Sequence, residues 1–460
     1  MTSHATDSAV AGWSEHSNKE GSLRGPLQPQ ALPFDPQRRA ASSELKTATG
    51  RLVDHLEARE RDLGLRRRAR KDTDRISFRL ALECLFCNLA TVLMVGGDRA
   101  LAVPRSSAVM WSTSRYHSPV YGQHFLDALG LMAHPGVHLI DNGRRGFKLK
   151  GGVAQRSTVF PARELAEWLP PGGLRWDDFT RVEDHEVIVL KGKKTAKTDI
   201  AEAIEYEDTP LTRRRRKQVQ QINAYLRSAP IIIVPDAGQF GETKDGLPVD
   251  PARRTVRRIF NNGSWLQGGR LYDAFWETMK REDRGRLLRI GTPLCPEGER
   301  IANVDYGQLF MTLAYLEANL LPPEGDLYDI TGNGSHREGW KRLSNALLLS
   351  ATPLRNWPMG LSSDFPPGTK LKAAIATIKE RHGSIAHLFG TGLGFKLMLL
   401  ESEMLIEALL RLYAKGITAL PLHDSVLVAS SEAGVAEEVM AEAFSQLTGG
   451  VRAKLKTTFS

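Results

Sequence analysis

Two aspartates stand in the setting that metal-assisted phosphoryl chemistry needs. Asp305 closes the apolar approach Ile301-Ala302-Asn303-Val304-Asp305-Tyr306 and opens Gly307-Gln308-Leu309-Phe310-Met311-Thr312-Leu313. Asp424 closes the stretch from Gly416 and opens Ser425-Val426-Leu427-Val428. Each reads as a carboxylate on a short buried strand, the second at the turn of a hairpin. Side by side, such strands would place two hard oxygen ligands around two Mg²⁺ (or Mn²⁺) ions, the clamp used for in-line phosphoryl transfer. Singly, an acid at a strand end is more often a turn or cap residue. The pair, with what lies between, points to catalysis.

Between the acids runs His336-Arg337-Glu338-Gly339-Trp340-Lys341-Arg342-Leu343-Ser344-Asn345-Ala346-Leu347-Leu348-Leu349. On a helix Arg337 and Lys341 are four residues apart and share one face. Two cations on one face repel unless an anion neutralises them. A nucleoside triphosphate is the natural one, with Lys341 on the α/β oxygens and Arg337 on the γ-phosphate. Arg342 points elsewhere, toward template or product. Alone, an Arg-x-x-x-Lys spacing is more often a basic surface helix. Upstream lies Gly268-Gly269-Arg270. Paired glycines let backbone approach a sugar-phosphate chain, with Arg270 reaching a phosphate, although ordinary turns use the same residues.

In this order the segments resemble the palm and fingers shared by family A DNA polymerases and phage-type single-subunit RNA polymerases, over residues 255–445. Val304-Asp305-Tyr306-Gly307-Gln308-Leu309 is similar to motif A of the DNA enzymes. Arg337 to Lys341 is similar to the core of motif B. His423-Asp424-Ser425 is similar to motif C in its RNA polymerase form, where the DNA enzymes usually carry Glu. Gly269-Arg270 is similar to the Gly-Arg of the RNA polymerase motif that holds the hybrid, although its usual leading Asp falls on Leu266. The resemblance implies an α/β (α+β) fold with a right-hand palm, helical fingers and a thumb. It makes Asp305 and Asp424 the catalytic metal ligands and puts Tyr306 among the nucleotide-binding residues. His423 would orient the motif C turn or contact the primer-end phosphate. The fingers aromatic that stacks on the incoming base is missing, with Asn345 and Leu349 at its two positions. Trp340, Trp357 or an apolar Leu face would have to replace it. No acidic exonuclease motif precedes the palm.

By the same resemblance, a bulky side chain five residues after the motif A acid clashes with a ribose 2′-hydroxyl. Phe310 stands there and argues for deoxynucleotides, while Ser425 and Gly269-Arg270 look RNA-polymerase-like. A Phe in an apolar run is also ordinary core. The sequence is read as a DNA-directed DNA polymerase. The alternative is a phage-type RNA polymerase or primase-like enzyme using rNTPs.

The whole chain is consistent with nucleic-acid partners. Its 460 residues are 41% hydrophobic and 25% charged, with net charge +9 and a pI near 9.4. Basic runs stand at Arg66 to Lys71, at Arg213 to Lys217, and at Arg253-Arg254 with Arg257-Arg258. Clustered positive charge is the usual footprint of a polyanion, although each run singly is also a plausible solvated face. Cys84-Leu85-Phe86-Cys87 lies in an apolar helical stretch without a second pair, so two buried core thiols are expected rather than zinc or redox chemistry. No apolar run reads as a membrane span and no secretory signal is visible, which places the protein in the cytoplasm.

Four regions are expected. Residues 1–75 form an arm, disordered to about residue 45 and then a solvated basic helix. Residues 76–170 resemble a winged-helix module: a helix over Ile76–Val95, a strand at Ala100–Val103, and a helix over Tyr121–Met132. A two-stranded wing then turns at Asn142-Gly143, with Arg144, Arg145, Lys148 and Lys150 around it. A small α+β packing module is the plainer account of the same pattern. Residues 171–250 are a connector and thumb-like basic region, and residues 251–460 are palm and fingers. Together these favour a template-directed nucleotidyltransferase of mobile-element, plasmid or phage replication type, with primer-template DNA and nucleoside triphosphates as partners. The competing hypothesis is a non-catalytic DNA-binding replication protein with a degenerate palm. Untemplated nucleotide transfer is a third.

Overall fold

The computed structural model describes residues 31–148, 154–183, 185–194, 201–236 and 240–460. The chain is a mixed α/β protein of helices and several sheets built around two hydrophobic cores.

The first core runs from Phe34 to Phe179. Its centre is the helix Asp72–Val95, whose first turn carries Asp72 and Asp74 against the positive end of the helix dipole. Gly96, at φ 75°, ends it in a conformation that side-chain-bearing residues avoid. By length and composition this helix could cross a membrane, but 67% of its most apolar window is buried inside the protein. The expectation that no apolar run reaches that length is therefore corrected. Cys84 and Cys87 lie on it, both buried, and burial pushes the Cys87 thiol up to about 12. The helix Ser43–Asp62, capped by the Ser42 side chain, inserts Leu45, Leu52 and Leu56 into this core. It is thus not the solvated helix expected. Nor is the start of the chain unstructured throughout. Leu32–Pro33 pairs with Leu101–Val103, and Arg38–Ala40 pairs with Phe179–Arg181; residues 1–30 lie outside the described residues.

The two segments expected to pair as the wing do not pair with each other. Ile140–Asn142 pairs not with the segment after Gly143 but with Ser157–Pro161. The ladder continues through the Asn-Gly pair, because the Gly143 amide donates to the Thr158 carbonyl and the Thr158 amide to the Arg144 carbonyl. Phe147–Lys148 then pairs with Ala154–Gln155; residues 149–153, Lys150 among them, lie outside the described residues. Gly146 permits this, since a Cβ there would sit 2.7 Å from the Ser157 nitrogen.

The second core runs from Val187 to Phe444. Its six-stranded antiparallel sheet has the order Ile231–Ile233, Leu288–Ile290, Glu299–Tyr306, Ser425–Ala429, Leu420–Leu422, with the C-terminal strand Leu455–Phe459 also paired to Glu299–Tyr306. Ala302, Val304 and Tyr306 alternate toward one face, where the Tyr306 hydroxyl donates to the Met440 carbonyl of the helix Ala433–Leu447. A smaller sheet of Gly268–Tyr272, Arg257–Phe260 and Ile188–Leu190 packs on the long helix Gly394–Ala414. The buried Arg38 reaches across to Asp250 and ties the start of the chain to the second half.

Candidate active site

Strand register brings the two aspartates together. Asp305 is directly opposite Ser425, and the Tyr306 amide lies 3.4 Å from the Asp424 carbonyl, so the acids are neighbours at one end of adjacent strands. Only His423 and Asp424 separate the paired residues Leu422 and Ser425. So tight a hairpin needs a residue at positive φ, and His423 supplies it at 58°. Ser425 closes the turn by donating its hydroxyl to the Leu422 carbonyl. Burial, with Arg270, Lys244 and Arg284 nearby, pushes the His423 ring down to about 3, so it is neutral. Its Nδ1 is buried without a hydrogen-bond partner among the described residues.

Asp424 makes its field felt on three elements. Its carboxylate acts on Arg270 of the small sheet, Glu401 of the long helix and Tyr328 of the loop before the basic helix. Arg270 is itself buried and doubly bonded to the fully buried Glu401, at 2.6 and 2.7 Å. Burial opposes the Arg270 charge, and Glu401 more than offsets that, raising its pKa. Its guanidinium also lies 5.6 Å from the centre of the buried Phe310 ring. Arg270 is therefore a buried strut, not the exposed phosphate ligand expected. The Gly-Gly pair before it has a structural reason too. A Cβ on Gly269 (φ 88°) would meet the Ser402 hydroxyl at 2.9 Å, so the glycine lets the strand press on the long helix.

The helix Arg337–Leu349 carries Arg337 and Lys341 at the expected spacing. Arg337 is held by Asp326 and Glu338, and its guanidinium lies over the Tyr328 ring at 5.6 Å. Arg342 is held by Asp364 rather than presented to a template. Lys341 is half-buried and makes no ion pair among the described residues. Trp340 is packed edge-on against Phe365 inside the core, which removes it as a base-stacking surface; Trp357 also packs on Phe365. Tyr306, expected beside the nucleotide, faces the opposite side of the sheet from Asp305 because adjacent strand residues alternate.

Sequence reasoning missed Tyr328, Glu401 and Asp326. The Tyr328 hydroxyl donates to the Asn345 side chain at 3.2 Å, which puts a buried aromatic against the helix position where the sequence shows no aromatic. In the first half of the chain, Arg144 and Arg145 are exposed on the hairpin, while the Lys148 side chain lies outside the described residues. The helix Gln123–Met132 that precedes the hairpin carries no Lys or Arg. Several cations of the basic runs are internal struts: Arg70 binds Glu60, Arg215 binds Glu403 and Arg216 binds Glu186. Arg213, Arg214 and Lys217 remain exposed.

No group of three or more His, Cys, Asp or Glu side chains converges as a metal site among the described residues. Mg²⁺ commonly takes only one or two carboxylates, with substrate phosphates and water completing its shell. The donor set of Asp305 and Asp424 fits that pattern and does not form an all-protein cage.

No protein-family model matches the chain, and no curated protein matches it. Among solved structures it is similar to the POL domain of Pol1 from M. smegmatis in complex with DNA primer-template and dNTP, with a TM-score of 0.29 and 14% identity. That match covers 54% of this chain and 51% of the other, so the chain spans about half the length of the structure it resembles.

Proposed function

We propose that this chain is a template-directed nucleotidyltransferase of the DNA polymerase type, acting in the replication of a mobile element, plasmid or phage. The observation that carries the proposal is the register that sets Asp305 and Asp424 side by side at one sheet end. Magnesium held there would favour the primer 3′-alkoxide and neutralise the triphosphate and departing pyrophosphate. The chain's own residues do the rest. Asp305 presents its oxygen ligands from a strand end and Asp424 from the tight turn beside it. Lys341, without an ion pair, is available to the triphosphate. His423, held neutral, shapes the turn without adding charge. Phe310, buried with the Arg270 guanidinium over its ring, limits room beneath the sugar and selects deoxynucleotides.

The second core then corresponds to palm and fingers. The first, with helix, strand, short helix, helix and a paired hairpin in that order, corresponds to a winged-helix-like nucleic-acid-binding module. A non-catalytic DNA-binding role draws support from the fact that Arg270, Arg337 and Arg342 are all engaged by carboxylates. Primer extension with Mg²⁺ separates the readings. Wild type is expected to incorporate dNTPs over rNTPs in a template-dependent way, and Phe310→Leu to relax that preference by about tenfold. A wild-type preference for rNTPs would overturn the choice of sugar, and no incorporation of either would favour the binder.

A further inference from the structure

The C-terminal strand Leu455–Phe459 places beside Asp305 a lysine that the motif comparison does not include. Lys456 is the direct cross-strand partner of Asp305. Opposed residues of an antiparallel pair share a face, with Cβ atoms about 4.5–5.5 Å apart. The alternation agrees with this: Thr457 turns the other way and bonds Glu437 of the helix Ala433–Leu447. Lys456 is exposed and makes no ion pair among the described residues.

We propose that Lys456 is a ligand of the incoming triphosphate, acting with Lys341; this rests on the nucleotidyltransferase reading of the two acids. Most cations around the acids already have carboxylate partners: Arg270 has Glu401, Arg337 has Asp326 and Arg342 has Asp364. Lys341 and Lys456 make no ion pair among the described residues, and the carboxylate opposite Lys456 is Asp305, the acid assigned to the metal. With Asp305 engaged by a divalent ion, the attraction between Lys456 and Asp305 is largely cancelled. Phosphate oxygens are then the anions within the reach of a lysine stem.

The strand is also fastened to the nucleotide side of the site. The Gly307 amide donates to the Lys454 carbonyl at 2.7 Å, immediately after the Asp305-Tyr306 pair. Lys454 Nζ donates to the Gly325 carbonyl at 2.7 Å, one residue before the Asp326 that holds Arg337. The segment Lys454–Lys456 thus links the sheet end, the loop and the basic helix, and fixes where the Lys456 stem begins. The plainer role for a lysine on an edge strand is to deter pairing with other chains. That role needs no triphosphate.

Direct binding of Mg²⁺-dATP, measured by calorimetry on the full chain, tests the inference, with primer extension run in parallel. Lys456→Met is expected to weaken binding about tenfold, which corresponds to about 1.4 kcal/mol. Lys456→Arg should stay within about threefold of wild type, because the charge is kept. Lys456→Gln, of similar length, replaces the Met variant if that one does not fold. Loss of binding in the neutral variants with retention in Lys456→Arg supports the inference whatever the extension assay shows. Equal binding by wild type and the neutral variants overturns it, and incorporation by wild type would then leave the two-acid reading standing. Wild type that binds dATP through Lys456 but incorporates nothing removes the polymerase reading alone. No binding by wild type removes both.

Discussion

Asp305 and Asp424 owe their proximity to one residue of strand register. A slip by one would turn Asp305 toward the helix Ala433–Leu447 and bring Tyr306 to the open face. Behind them the Arg270–Glu401 pair is a buried strut, and its two halves are unequal to remove. Arg270→Met leaves Glu401 alone in the core, where burial has already raised its carboxyl to about 7, so the acid takes up a proton and sits unpaired, at an expected cost of about 3–5 kcal/mol in urea unfolding. Arg270→Met with Glu401→Leu should recover most of that loss. If instead Arg270→Met is as stable as wild type while DNA affinity falls with a shallower salt dependence, Arg270 is a phosphate ligand after all. At this scale the sequence was legible where a side chain's type and its strand setting agree, as for the two acids and the Arg337/Lys341 spacing. It was not legible where a role depends on a distant partner. Glu401 is one acid on a long amphipathic helix, and Tyr328 lies in an irregular Gly- and Asp-rich loop, so neither has a local signature.

Among the elements, close approach explains both what sequence patterns caught and what they misplaced. In the second half, the basic run Arg213 to Lys217 lies on the helix Pro210–Ser228, with Val219, Ile222 and Leu226 on its buried face, followed by the strand Ile231–Ile233. Two glycine signals were right about backbone and wrong about the neighbour. Gly143 read as a turn, but Ser157–Pro161 arrives to extend the ladder past it. Gly269 read as a place for a phosphate chain, but the long helix occupies that space. Gly269→Ala should therefore destabilise the folded protein by about 1–3 kcal/mol through both its φ and the Ser402 contact. Adding nucleic acid should not rescue it. A variant with unchanged thermal midpoint but weaker primer-template binding would restore the original reading of that glycine.

Across the whole molecule, Arg38 and Asp250 join the two halves, and carboxylates paired within each half set its acid limit. Burial alone would raise the Asp35 carboxyl, but Arg181, Arg38 and Arg253 together hold it down at about 2. Burial likewise opposes Asp273, and Arg257 leads the cations that bring it to about 2. Below its ordinary pKa of 3.8 each group binds a proton more readily unfolded than folded. Their contribution is complete above about pH 4 and is lost as pH falls toward about 2. Asp35→Asn and Asp273→Asn should each flatten the fall in urea midpoint between pH 4 and 2; a variant that loses stability as steeply as wild type would refute this. The sequence reads as four regions, whereas the buried apolar residues form two cores. The contact between these was not visible in the sequence, because Arg38 and Asp250 are 212 residues apart and neither stands in a motif. Catalysis by the Asp305/Asp424 end of the sheet is the central claim. Its most direct measurement is Mg²⁺-dependent primer extension by Asp305→Asn and Asp424→Asn, each checked for folding and primer-template binding. Both variants are expected to bind as wild type does and to lose incorporation to background. Either one incorporating at the wild-type rate would contradict the account.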